Sequence, residues 1–513
     1  MESVVLTKEN IGELQGRTIL CWGLARYYLT AMFEAFGLEE RIDAIVDNTP
    51  KVHGTATIIR KEIPVVSPEY LRQADGKLAL IITCDYNDEI LEQIMREGYL
   101  DGKDCTFYRY ASKREQIDLS YRKKYATVAL ENIILFRSGP MRKNYIKGAD
   151  FWDNARALFE YMVRQNYNQT YKLVWLVKNP EEFEQYANIE NVEFQSFDWE
   201  DTEDLEKRDR YYHDLCLAKY IFTTDAYDFA KNARKDQVRI QLWHGCGFKT
   251  RALFLPCEKR YEYTTVISEL YAKIHADIYG LRMDQVKITG YAKHDWLFQP
   301  YDGDLSEVLG IPRASKYIFW LPTFRMADDK ESRFNQYELN PDTGLPIVIN
   351  QEQLEQLNNL LKEADIMLIV KLHPIQKNVL VKDYELSNIA IIKNYELTEK
   401  DLVINRLLAS ADALISDYSS TAVDYLVLDR PIGFTLDDVE EYKNSRGFVF
   451  DPIEDWLPGK KIFNFDDFCE FIKEIAVGED SQRELRHSIS EKMVKYKDAY
   501  NCKRILDAFG IEK

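Results

Sequence analysis

Four short stretches hold the side chains able to do chemistry. In "QLWHGCGFKT", residues 241–250, an imidazole and a primary amine sit on a glycine-rich segment just past an apolar run. A neutral imidazole at His244 could take a proton from an attacking hydroxyl near neutral pH. The glycines beside it let backbone and substrate come close; alternatively, His244 caps the strand by hydrogen bonding. In "LPTFR", residues 321–325, proline stops a strand and leaves Arg325 at its exit. Its planar fork suits phosphate oxygens, with a surface arginine or an internal salt bridge as the other reading. "VKLHP", residues 370–374, delivers Lys371 and His373 from an apolar strand that Pro374 ends. A histidine there could stabilise charge on a departing diphosphate, or be a buried, satisfied side chain. "LISDYSSTAVDYLVL", residues 414–428, reads as a strand, a turn and a helix. Ser419, Ser420 and Thr421 then stand at a helix start, where free N–H groups, hydroxyls and the dipole make an anion site. Ordinary N-capping is the alternative.

These stretches need strands to carry them, and the pattern supplies strands throughout. Residues 17–110 alternate apolar runs with helical stretches, as a small doubly wound module does. Its "WGLARYY" turn keeps one glycine of G-x-G-x-x-G, and Asp47 follows where a ribose-binding acid would stand. A purely structural module is the competing reading. A second α/β unit follows from "ENIILFRS" to "GYAKHDWLF", and a third begins at "KYIFWLPTFR". The expected class is α/β: a GT-B architecture of two Rossmann-like domains facing a cleft, preceded by a small Rossmann-like N-terminal domain. The expected boundaries are 1–115, 125–300 (acceptor side) and 301–513 (donor side, with C-terminal helices). Ligands in such sheets bind beyond the carboxyl ends of the strands.

Composition excludes several classes. With 513 residues, 46% of them apolar, the chain can bury large cores. A net charge of −18 argues against a nucleic-acid surface. Eight dispersed cysteines without a CxxC pair predict reduced thiols and a cytoplasmic setting. The seven histidines include no HExxH, so no metal site is expected. No apolar run is long enough to span a bilayer, and no signal-peptide pattern opens the chain. The basic "SYRKKY" is the best candidate for touching a membrane surface, against its reading as a solvated linker.

"QLWHGCGFK", "LPTFR", "KLHP", "ISDYSST" and "DRPIGF…DDVEEYKNSRGF", in that order, resemble the CDP-glycerol glycerophosphotransferases, which build teichoic-acid and capsule polyol-phosphate chains. The likeness runs from about residue 130 to 510, and residues 1–115 resemble an accessory domain often joined to transferases. It implies that His244 is the base on the acceptor hydroxyl. His373, with Ser419, Ser420 and Thr421, would form the donor diphosphate site, and Arg325 and Lys371 would add phosphate contacts. Asp417 would orient the serine turn, and Tyr442 and Arg446 would lie near the donor. Lys249, Lys293 and Asp295 would lie on the acceptor side. Three elements depart from the family pattern: the loop WHGTPLK reads "WHGCGFK", APTWR reads "LPTFR", and G-x-P-R-x-D is carried by Gly290, Ala292, Lys293 and Asp295. Cys246 is read as packing.

The implied reaction moves glycerol phosphate, with ribitol phosphate the nearest substitute, from a CDP donor to a polyol-phosphate or glycan hydroxyl, releasing CMP. The acceptor could be lipid-linked, met at the inner face of the plasma membrane. No cofactor is required in principle, although Mg2+ could accompany the donor. A sialyltransferase-like nucleotide-sugar transferase of GT-B fold and a non-catalytic family member are the alternatives.

Overall fold

Val, Ile, Leu and aromatic residues dominate the short runs that become strands, because parallel strands covered on both faces must be apolar on both. In the computed structural model the described residues are 3–84, 86–139, 150–225, 229–230, 233–250, 261–322, 343–371, 386–445 and 447–513. They form three sheets and divide into two units. One unit is Met1–Thr127 with Trp199–Tyr212; the other is Val128–Asp198 with His213–Lys513.

In the first unit the strands are β1 Val4–Val5, β2 Thr18–Trp22, β3 Ile42–Val46, β4 Gly54–Ile58, β5 Lys61–Val66, β6 Leu78–Ile82 and β7 Cys105–Arg109. Their order is β1-β7-β6-β2-β3-β5-β4, parallel except for the β4–β5 hairpin. Asp47 serves the turns here: its carboxylate accepts from the backbone N–H groups of Leu24 and Thr49, each at 2.8 Å. Both oxygens are thus engaged by the chain itself, which removes the sequence argument for a ribose contact. The basic stretch expected as a boundary is a helix, Lys113–Tyr125. Tyr121 stacks on Tyr212 with ring centroids 4.4 Å apart, and Lys113 pairs with Glu203 at 2.8 Å. This unit therefore reaches Thr127 and takes in Trp199–Tyr212, which the expected 1–115 boundary omitted.

The second unit holds two Rossmann-like halves. Strands β8 Glu131–Ser138, β9 Lys172–Val177, β10 Val192–Ser196, β11 Ala218–Thr224, β12 Val238–Gln241, β13 Tyr263–Val266 and β14 Val286–Ile288 run parallel in the order 10-9-8-11-12-13-14. Strands β15 Lys316–Leu321, β16 Ile366–Lys371, β17 Ile389–Ile392, β18 Ala413–Ser416, β19 Ile432–Thr435 and β20 Lys460–Ile462 run in the order 17-16-15-18-19-20. Chain direction across each sheet reverses once, between β8 and β11 and between β15 and β18. Those two switch points leave crevices at the strand ends, and His244 and Ser419 lie close by in sequence. Trp243, Phe248 and Tyr291 of the first half share one apolar cluster with Tyr418, Phe434 and Phe450 of the second. The arrangement is the GT-B one the sequence predicts.

The chain's end departs from the expected 301–513 domain. Cys502, Ile505, Leu506 and Ile511 join the core of the first half, beside Phe136, Phe159 and Trp175. Asp295 fixes that return, accepting from the backbone N–H groups of Asn501 at 2.8 Å and Cys502 at 2.9 Å. It caps the helix Asn501–Ala508 and is only 3% exposed. The expected acceptor contact at Asp295 is therefore corrected: a buried carboxylate with both oxygens on backbone amides ties the fold together. Asp295→Ala strands two buried N–H donors and should cost roughly 2–4 kcal/mol. A lowered denaturant midpoint for the second unit checks this.

Candidate active site

The site grows from three neighbouring strand ends. His244 follows β12, Asp225 follows β11, and Asp153 opens the helix Asp153–Arg164 that comes after β8. Since β8, β11 and β12 are adjacent, their carboxyl ends bring these residues together. His244 Nδ1 lies 2.7 Å from Asp225 Oδ1. With the carboxylate ionised, Nδ1 carries the proton and donates, so Nε2 keeps its lone pair in the neutral ring. The His244 side chain is 47% exposed. Burial pulls its pKa down. The hydrogen bond and charge of Asp225, with Asp153 behind, outweigh burial and leave a net rise.

Left-handed backbone surrounds this imidazole. Asp153, Asp225 and Trp243 have φ of 59°, 65° and 54°, a conformation costing about 1–2 kcal/mol each for a residue with a Cβ. Buried amides hold it. Gln241 Oε1 accepts from the N–H groups of Asp225 and Trp243, both at 3.1 Å. Asn154 Nδ2 donates to the carbonyls of Leu242 at 3.3 Å and Trp243 at 2.8 Å. Strain maintained this way is a mark of functional sites.

Facing the loop is the turn after β18. Ser419 Oγ accepts from Thr421 N at 3.3 Å and caps the helix Ser420–Tyr425, so the capping reading holds for Ser419. Ser419, Ser420 and Thr421 are partly exposed, whereas Asp417 beneath them is fully buried. The two glycines of the histidine loop rest on this turn. A Cβ on Gly245 would fall 2.5 Å from Ser420 Oγ, and one on Gly247 3.3 Å from Ser420 Cβ. Farther along, Val449 N donates to Phe248 O at 2.8 Å, and Lys249 forms an antiparallel bridge with Phe448. The Lys249 ammonium lies 5.5 Å from the Tyr442 ring centroid, against the donor-side segment rather than apart from it.

Lys371 ends β16, and burial lowers its pKa to about 8. Arg325, His373 and Arg446 lie outside the described residues. Lys293 is not the acceptor contact the sequence suggested. It is 5% exposed, and its ammonium pairs with Asp424 at 2.8 Å and Asp153 at 3.5 Å and donates to the carbonyl oxygen of His244. Cys246 packs as expected, with Tyr291 Oη 2.9 Å from its sulfur and its thiol pushed up to about 12 by burial.

Sequence reasoning missed Asp225, Asp153, Asn154 and Asp424. Asp225 had a signal, since it ends the apolar run "YIFTTD" as His244 ends its own. The other three acquire meaning only from burial and pairing. Because Asp225 holds the proton on His244, Asp225→Asn should lower the imidazole pKa and mix its tautomers, as histidine NMR would register. The sign also fixes stability. A raised folded pKa stabilises fully below the unfolded value of ~6.5, and that gain is lost as pH rises through the folded value.

Comparisons with known proteins bear on the family and the fold. Residues 128–509 match the family described as CDP-Glycerol:Poly(glycerophosphate) glycerophosphotransferase. A teichoic acid ribitol-phosphate polymerase of Staphylococcus aureus is 26% identical over 320 residues, 58% of each chain. A teichoic acid poly(glycerol phosphate) polymerase of Bacillus subtilis is 24% identical over 468 residues, 84% of this chain and 56% of that one. The chain thus spans about 60% of the length of the curated relatives it first matches. A structure of a histidine-to-alanine variant of the wall teichoic acid polymerase TagF superposes with a TM-score of 0.57 at 21% identity, over 77% of this chain and 92% of that one. At that identity the likeness shows the fold.

Proposed function

Because the chain belongs to the CDP-glycerol:poly(glycerophosphate) glycerophosphotransferase family, we propose that it transfers a polyol phosphate from a CDP-activated donor to an acceptor hydroxyl. The observation that carries this reading is the pairing of Asp225 with His244, whose glycine loop touches the Ser420 turn. His244 Nε2 takes the proton of the acceptor hydroxyl as its oxygen bonds to the phosphorus bearing the polyol. The bond from that phosphorus to the bridging oxygen breaks, and CMP departs with the electron pair. Asp225 keeps the imidazole in the competent tautomer and favours the imidazolium that forms.

The donor diphosphate is assigned to the other strand ends: Ser420 and Thr421 with the N–H groups of the helix start, Lys371, and His373 and Arg325 as the resemblance implies. Asp417 supports the serine turn from below, Tyr442 belongs to the same side, and Arg446 is added as the resemblance implies. Fixed cations and N–H donors supply the charge stabilisation, so no resident metal is required; Mg2+, if used, arrives on the donor. Glycerol phosphate is the first choice of transferred group, and ribitol phosphate the second. The acceptor is read as a polyol-phosphate or glycan chain, lipid-linked and met at the cytoplasmic face. No helix among the described residues is long and apolar enough to cross a membrane.

The reading is tested by CMP release from CDP-glycerol and CDP-ribitol, each with and without a short polyol-phosphate acceptor, in Mg2+ or EDTA. Acceptor-dependent release from one donor is expected, reduced roughly 10²–10⁴-fold by His244→Ala. Turnover of CMP-sialic acid with silence on both polyol donors would overturn it.

A further inference from the structure

Lys293 has burial and partners that ordinary packing does not require. Its Nζ has three partners for three N–H bonds: Asp424 Oδ2 at 2.8 Å, Asp153 Oδ2 at 3.5 Å and the backbone carbonyl of His244. The second oxygen of Asp424 is taken by His294 Nε2 at 2.9 Å. Lys293, His294 and Asp424 are 5%, 0% and 1% exposed. The backbone of residue 293 reaches the same loop by another route. Its N–H donates to Asn154 Oδ1 at 3.1 Å, and Asn154 in turn holds the Trp243 carbonyl at 2.8 Å. Asp424 lies four residues past Ser420, so both stand on one face of the short helix Ser420–Tyr425. One end of that face meets Gly245 and Gly247, and the other meets Lys293.

We propose that Lys293, through Asp424, is a positioning residue that fixes the base-bearing loop of one half against the donor-side helix of the other. The proposal rests on His244 being the base. Lys293 itself touches neither substrate. It holds the carbonyl next to the imidazole with one N–H and the helix with another, so the spacing between base and serine turn is set by one ammonium. A hydrophobic side chain of equal volume could fill the space but could not bind both sides. Buried ion pairs are poor sources of stability and better at specifying one arrangement.

The test separates geometry from stability. In the full chain, Lys293→Met leaves Asp424 and Asp153 without their cation, so both melting temperature and activity should fall. Adding Asp424→Asn relieves the buried charge and should recover most of the melting temperature. If Lys293 positions the loop, kcat of the double variant stays down about 100-fold with KM for the donor within a few fold. If kcat recovers with melting temperature, or a well-folded Lys293→Met turns over within a few fold of the parent, the proposal is wrong. A second readout needs no turnover. Nitrogen-15 shifts of His244 should report the Nδ1–H tautomer in the parent and mixed tautomers in the double variant. A parent inactive on every CDP-polyol would sink the functional reading alone, while unchanged shifts would sink the positioning role.

Discussion

Everything at this site depends on two backbones being allowed to touch. The histidine loop and the Ser420 turn belong to different Rossmann-like halves, and any side chain at residue 245 would fall on the serine hydroxyl. Glycine there is a requirement of approach rather than of conformation. Once the loop rests on the turn, the apolar contacts around Phe248, Phe434 and Phe450 can close behind it, with ring centroids 6.0 and 6.4 Å from Phe248. The Phe248–Val449 hydrogen bond then fastens the loop's far end. Packing below and hydrogen bonding beyond both presuppose the missing Cβ.

Acidic side chains from both halves gather around this loop. Beneath the imidazole lie Asp225 and Asp153, and Asp424 stands behind Lys293. Burial raises Asp153 to about 6, with Lys293 and His244 pulling it back and Asp424 pushing it up. That acid-rich floor favours the protonated imidazole. It would repel a phosphate. Lys293, buried within the protein, reduces that excess through its pairs with Asp153 and Asp424.

Much of this could be read from residues alone. Apolar runs ending in Gly, Pro, His or Asp marked the strands, and chemistry-bearing residues at strand exits marked His244 and the serine turn. Lys293 and Asp295 were misassigned because a motif fixes spacing and says nothing about burial. Both lie within a segment that is inside the protein, where one carboxylate caps a returning helix and one ammonium bridges two halves. The return of Asn501–Ala508 to the first half, and of Trp199–Tyr212 to the N-terminal unit, were equally invisible. Each depends on partners hundreds or scores of residues away, and local periodicity carries no such information.

Lys371 completes the division of labour. It ends β16, next to β15, and burial alone brings its pKa down to about 8. A cation held that close to losing its proton is costly in the empty protein and is relieved by an anion. Binding of an anion beside Lys371 and retention of that proton are therefore linked, each favouring the other. His244 differs, since its carboxylate neighbours are built in and already favour its protonated form.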